Sequence, residues 1–170
     1  MRRVEEVMTA RPVVVSAWES VAVGRRVARE AGVHHLVLDD VATIVGVVCL
    51  CDLAEADETS LLAGQMQSPF AFITPASSIQ DAAETMLDRG VGCLPVLDEL
   101  DELVGVVTRR DLRGAGALPG SRGIDACAAC GATHSLRPRA ESGEVVFCVE
   151  CSERARPHAD YTLATLGGSD

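Results

Sequence analysis

Aromatic residues are scarce: one Trp, one Tyr and three Phe make up 3% of the 170 residues. A surface that binds single strands by stacking bases needs more of them. Lysine is missing altogether. All 15 basic residues are arginine, against 25 acids, for a net charge of −10. Residues 1–120 hold 10 Arg against 18 acids, and the remainder 5 against 7. Neither part has the basic surplus that draws a phosphate backbone, so nucleic acid is disfavoured as a partner. No apolar run approaches the roughly 18 residues of a membrane span. The longest, residues 41–51, reads as a strand and is broken by Gly46. The opening MRRVEEVMTA has two arginines with no apolar stretch behind them, unlike a signal peptide. The expectation is a cytoplasmic protein with no membrane partner. Also lacking are G-x-S-x-G, H-E-x-x-H and a Walker loop, so no catalytic constellation is in view and an enzyme is not expected.

What is present is a repetition. GVVCLCDL occupies residues 46–53 and GVVTRRDL residues 105–112, with five of eight positions identical. Met8 and Met66 stand 58 apart, as do Gly32-Val33 and Gly90-Val91. Each copy reads as β-α-β-β-α. A β-rich stretch (12–15, 70–73) precedes a helix start, at Ser16-Ala17-Trp18-Glu19 in the first copy and Ser78-Ile79-Gln80-Asp81 in the second. Ile79, Ala82, Ala83, Met86 and Leu87 mark one helical face. Gly32 and Gly90 fall at helix C-caps. Strands follow at 34–38 and 43–49, then at 93–97 and 103–108, and Asp52 and Asp111 cap a last helix. GAGALPGSRG, residues 114–123, is a linker by composition.

The repeated unit, the Leu94-Pro95-Val96 strand and the closing G-V-V-T-R-R-D-L resemble the CBS domain in its tandem, or Bateman, arrangement. The resemblance covers residues 1 to 114. It implies binding of an adenine nucleotide (AMP, ADP or ATP type) in clefts between the copies, and a face-to-face homodimer. The family's ribose element, Gly-φ-x-Thr/Ser-x-x-Asp/Asn with φ apolar, is matched in the second copy by Gly105, Thr108 and Asp111. A carboxylate there accepts hydrogen bonds from ribose hydroxyls, and the threonine adds another. Arg109 and Arg110 stand beside them for phosphate. The base is expected against Ala71 and Phe72 and the strand holding Leu94 and Pro95. In the first copy Asp52 is kept but Cys49 replaces the threonine, which puts that site in doubt. His35 aligns with Cys93 at a position that often faces phosphate in the family. The same residues have structural readings: the aspartates as helix caps, Arg109, Arg110 and Arg113 as a solvated face, Cys49 and Cys51 as small interior hydrophobes.

Seven cysteines is an odd number, and four of them form Cys127-x2-Cys130-x17-Cys148-x2-Cys151. That spacing reads as a metal site. Four thiolates complete a tetrahedron around zinc, with iron the competitor, and leave no position open for catalysis. The segment resembles a zinc ribbon. The finger of DksA/TraR-type polymerase regulators is a second resemblance, without their coiled coil.

The fold class is therefore α/β of the α+β kind: two CBS copies as a pseudo-twofold pair (1–57 and 58–114), a Gly-rich linker (115–123), a four-cysteine ribbon (124–156) and a flexible tail (157–170). The functional expectation is a non-enzymatic regulatory protein that senses an adenine nucleotide and meets an unknown protein partner through the ribbon. The alternatives are an iron-binding, rubredoxin-like redox protein and a structural adaptor with empty clefts.

Overall fold

A computed structural model describes residues 1–66, 70–118, 136–138 and 146–148. Two helices of equal length anchor the copies: α1, Val21–Ala31, and α3, Ile79–Arg89. Each begins on a serine whose hydroxyl accepts a backbone N–H, Ser20 from Val23 and Ser78 from Asp81. Each ends on a glycine in the left-handed region, Gly32 at φ 69° and Gly90 at φ 66°, where a Cβ is costly. The expected start of the first helix at Ser16 is corrected. Ser16 ends strand β2, Val14–Ser16, and its hydroxyl accepts the Trp18 N–H at 3.3 Å. The Ala17 N–H goes to the Asp39 carbonyl at 2.8 Å, so strand-like pairing wins and the cap moves to Ser20.

The first sheet has the order β2-β3-β4, with β3 at His35–Asp40 and β4 at Thr43–Cys49. β2 runs parallel to β3 and β4 antiparallel to it. The second sheet joins β1, Thr9–Ala10, to β6, Leu103–Thr108, and β6 to β5, Cys93–Leu97, both antiparallel. The strand expected over 70–73 is reduced to a single parallel bridge from Ile73 to Val96. A short helix closes each copy: α2, Leu50–Leu53, and α4, Arg109–Gly114.

The two copies exchange their leading segments. Val4 is buried in the second copy's core with Ile79, Met86, Leu94 and Leu112. Leu62 is buried in the first copy's core with Val21, Leu36 and Leu53. The hydrogen bonds repeat the same offset: Ile79 N–H to Arg2 O at 3.1 Å, and Val21 N–H to Ser60 O at 2.8 Å. Met8 lies on Gly105 and Met66 on Gly46, at separations that leave no room for a Cβ. This reciprocal packing ties the pair together with no disulfide between Cys49, Cys51 and Cys93.

Two side chains depart from expectation at the edges of the cores. Leu87 is 62% exposed, whereas Ile79, Ala82, Ala83 and Met86 are buried. Eight residues on from Ile79 it lies about 80° round the helix, at the margin of the apolar stripe. Leu118, inside the glycine-rich stretch, is buried against the second core, and the Ala117 N–H returns to the Leu112 carbonyl at 2.8 Å. The last two strands, β7 at Leu136–Pro138 and β8 at Val146–Cys148, pair antiparallel as a separate two-stranded ladder. Among the described residues no helix is long and apolar enough to cross a membrane.

Candidate functional site

Register decides which side chains the copies present to each other. In the first sheet His35 faces Cys49 and Val37 faces Val47 across the β3–β4 ladder. Side chains alternate along a strand, so His35, Val37, Val47 and Cys49 share one face. In the second sheet the partners are Cys93 with Thr108 and Pro95 with Val106, which share one face in the same way. These two faces meet: Val37, Cys93 and Val106 form a buried cluster, with Ile44, Val47 and Leu103 against it. The opposite faces, carrying Leu36 and Leu38 or Leu94, Val96 and Val107, turn into the separate cores.

At the junction each closing helix begins on the last residue of its strand. Thr108 is extended, at φ −117° and ψ 164°, and is the N-cap of α4. Its hydroxyl accepts the Asp111 N–H at 3.3 Å and donates to Asp111 Oδ2 at 2.7 Å. The same oxygen takes the Thr108 N–H at 2.8 Å. Cys49 is the N-cap of α2, and its N–H reaches Asp52 Oδ2 at 3.3 Å. The aspartates are thus the third helical residues of two capping boxes and not the caps themselves, a correction to the sequence reading. The cap must be extended, and the strand-end residue already is.

The remaining expected site residues scatter in role. Pro95 lies on the junction face opposite Val106, whereas Leu94 is buried in the second core. Ala71 packs against that core, and Phe72 is 48% exposed with its ring 5.8 Å from that of Phe70. They run beside the Pro95 strand, because the Ile73 N–H reaches the Pro95 carbonyl at 3.0 Å. Arg109 is only 7% exposed, and its Nε donates to the Val91 carbonyl at 3.0 Å. It braces the turn between α3 and β5, and Arg110 is the exposed cation next to Asp111. Of the four expected metal ligands, Cys148 ends β8, and Cys127, Cys130 and Cys151 lie outside the described residues. Among the described residues no group of three or more His, Cys, Asp or Glu is placed to hold a metal.

One feature the residue-by-residue reading missed is a thiol cluster. Cys49 and Cys93 belong to different copies, yet the negative charge of Cys49 is felt at Cys93. Hydrogen bonds from Cys51 hold the Cys49 thiol well below its ordinary range, against the opposing effect of burial, and His35 helps. Cys93 is pushed far up by burial, with the negative charge of Cys49 and Asp111 adding to it. The signal lay in the alignment of His35 with Cys93 and of Cys49 with Thr108.

The CBS domain family matches the chain twice, over residues 4–59 and 62–117. An uncharacterized protein of Methanocaldococcus jannaschii is 27% identical over 112 residues, 65% of this chain and 42% of its own length. Inosine-5′-monophosphate dehydrogenase of Korarchaeum cryptofilum is 30% identical over 113 residues, 66% of this chain and 24% of the enzyme. The chain therefore spans less than half the length of either relative. Among solved structures, CBSX2 in complex with AMP is 26% identical at a TM-score of 0.58, covering 68% of this chain and 96% of that one. The cytosolic domain of the Mg2+ channel MgtE in complex with ATP is 27% identical at 0.59, covering 66% and 48%. The CBS pair of protein MJ0100, at 18% identity and a TM-score of 0.64 over 68% of this chain and 96% of that one, shares the fold. With two family matches laid over two exchanged, pseudo-symmetric units, this chain belongs to the CBS-domain family and carries the tandem pair known as a Bateman module.

Proposed function

We propose that this protein is a non-enzymatic regulator whose second-copy cleft binds an adenine nucleotide through Thr108 and Asp111. The observation that carries the reading is the Thr108–Asp111 pair: a carboxylate held at the start of α4 by its own cap, on the face that meets the other copy. The AMP and ATP complexes of CBSX2 and MgtE, both above 25% identity, support adenine nucleotide as the ligand class. In this reading Asp111 takes the ribose hydroxyls, and Pro95, Ala71 and Phe72 border the base. Arg109 is committed to Val91, so Arg110 is the phosphate partner. The first cleft, with Cys49 beside Asp52, is the weaker of the two.

The distal segment is proposed to hold one zinc or iron on Cys127, Cys130, Cys148 and Cys151, and to present a surface to a protein partner. Support comes from the ligand spacing and from the β7–β8 ladder, which ends at Cys148. Four thiolates suit a tetrahedral ion and leave it no open position. A homodimer and a cytoplasmic location complete the reading.

The test is thermal unfolding with AMP, ADP and ATP, against GMP. A ligand at 100 times its Kd adds about 2.7 kcal/mol, on the order of 5–15 °C for a domain of this size. No shift with any adenine compound would end the nucleotide reading.

A further inference from the structure

We propose that Cys49 is a thiol-modification site, a nucleophilic sulfur at the junction of the copies that hydroperoxides oxidise and that Cys51 then captures as a disulfide. This goes beyond nucleotide binding and does not depend on it. Cys49, Cys51 and Cys93 are free thiols. What separates Cys49 from an ordinary core thiol is its set of partners. Its Sγ accepts the Cys51 N–H at 3.4 Å, and the Cys51 and His35 side chains also bond to it. His35 stands directly across the ladder, and its Nε2 comes so near Gly92 of the second copy that a Cβ there would sit 3.3 Å away.

The groups facing the Cys49 sulfur are His35 from β3, Cys51 and Asp52 from α2, and Cys93 from β5, with Asp111 of α4 beyond Cys93. Asp52 turns its carboxylate onto the Cys49 N–H at 3.3 Å. The hydrogen bonds and the imidazole favour a thiolate, which is the form that reacts. Cys93 shares the junction but is held protonated, so it is the internal control. Exposure orders the α2 cap and the thiol within the helix: Cys49 is 9% exposed and Cys51 1%, so a small oxidant meets Cys49 first.

The chemistry balances with one hydroperoxide. The Cys49 sulfur, its proton already released, attacks the terminal peroxide oxygen. The O–O bond breaks, and with hydrogen peroxide hydroxide leaves and takes up that proton as water. The sulfenic acid so formed is attacked by the Cys51 sulfur. The S–O bond breaks, a second water leaves with the Cys51 proton, and an S–S bond forms. Two thiols are oxidised to one disulfide and one peroxide is reduced to two waters.

The experiment treats the reduced full chain with hydrogen peroxide, blocks remaining thiols with iodoacetamide, digests with trypsin and maps the peptides. Cleavage at arginine places Cys49 and Cys51 in peptide 30–89 and Cys93 in peptide 90–109. Peptide 30–89 should be unalkylated and about 2 Da lighter, with Cys93 alkylated. In Cys51→Ser, which keeps a side-chain donor to Cys49 but cannot form a disulfide, a sulfenic acid should be trapped at Cys49 by dimedone. Without oxidant, at about pH 6.5, iodoacetamide should label Cys49 at least about tenfold faster than Cys93, and His35→Gln should narrow that gap. Cys49→Thr, which copies the Thr108 cap, should leave Cys51 reduced under the same peroxide. Equal labelling of Cys49 and Cys93, or a peptide 30–89 alkylated at both cysteines after peroxide, would overturn the site. Peptides 30–89 and 90–109 joined by a disulfide would overturn the role given to Cys51.

Discussion

The Thr108 hydroxyl donates a 2.7 Å hydrogen bond to Asp111 Oδ2, and the Thr108 N–H reaches the same oxygen at 2.8 Å. In the first copy the matching N–H, that of Cys49, reaches Asp52 Oδ2 at 3.3 Å, and the cap's sulfur accepts the Cys51 N–H. A sulfur drawn toward thiolate has no proton to give a carboxylate or a ribose. The two copies therefore share a fold and differ in hydrogen-bonding capacity at a position that meets the ligand in the proposed function.

That difference predicts unequal mutants. Asp111→Ala should remove most of the melting shift caused by AMP, and Asp52→Ala should remove less. Cys49→Thr should strengthen the first cleft by about one hydrogen bond, near 1 kcal/mol or roughly fivefold in affinity. Isothermal titration of the parent and the three variants reads both effects. Equal losses from the two aspartate variants would contradict the asymmetry.

The exchanged segments predict a second inequality. A Cβ at Gly105 would lie 2.8 Å from Met8 Sδ and 3.0 Å from the Thr9 carbonyl, which is backbone of strand β1. The three atoms nearest a Cβ at Gly46 all belong to the Met66 side chain, with Sδ at 2.7 Å. A methionine tip can swing aside and a paired strand cannot. Gly105→Ala should cost about 1–3 kcal/mol, the usual range for overpacking, and Gly46→Ala distinctly less. Urea unfolding of both variants checks it; a Gly46 variant as damaged as the Gly105 one would mean that the methionine sites are equally rigid.

Much of this was legible because the repeat supplied two readings of each element. The offset of 58 to 59 residues placed the β3–β4 and β5–β6 pairs, the αL glycines and the closing helices, though not a strand over 70–73. The exchange of leading segments was not seen, since MRRVEEVMTA has no period of its own; the Met8–Met66 spacing was the trace it left. Ser16-x-x-Glu19 matched a capping box that strand pairing at Ala17 overrides, and only tertiary structure reveals that competition. Arg109 read as a phosphate contact or a solvated cation, and the carbonyl its Nε reaches, Val91 O, has no side-chain signature in the sequence. Leu118 was hidden by the glycines around it, although one apolar residue among them is enough to fasten the chain to the core.

The metal proposal predicts modular unfolding. Cys148→Ser should remove the bound ion and leave the melting of residues 1–118 in place, because the glycine-rich stretch 114–123 is a linker by composition. Elemental analysis should give one metal per chain in the parent, and absorbance separates iron from spectroscopically silent zinc. A single transition abolished by chelation would show that the ribbon and the pair share a core.

The two junction thiols predict a stability maximum in pH, because their shifts have opposite signs. An unfolded thiol titrates near pH 8.5. Cys93 is raised in the folded protein. Below about pH 8.5 both states keep its proton; above it the unfolded chain ionises and the native one does not, so stability falls as pH rises. Cys49 is depressed. Above about pH 8.5 both states are ionised there; between its folded value and 8.5 the unfolded chain alone holds the proton, so stability is lost as pH falls through that window. The alkaline range is unusually clean, since the chain has no lysine and its arginines stay charged beyond about pH 12. Melting curves of reduced protein from about pH 6 to 10 should show Cys93→Ala flattening the alkaline limb and Cys49→Thr the acidic one. Slope differences from the parent carry the test, because the other thiols titrate in all three proteins. If Cys49→Thr leaves the slope below about pH 8.5 unchanged, Cys49 is protonated in the native state and the thiolate assignment fails.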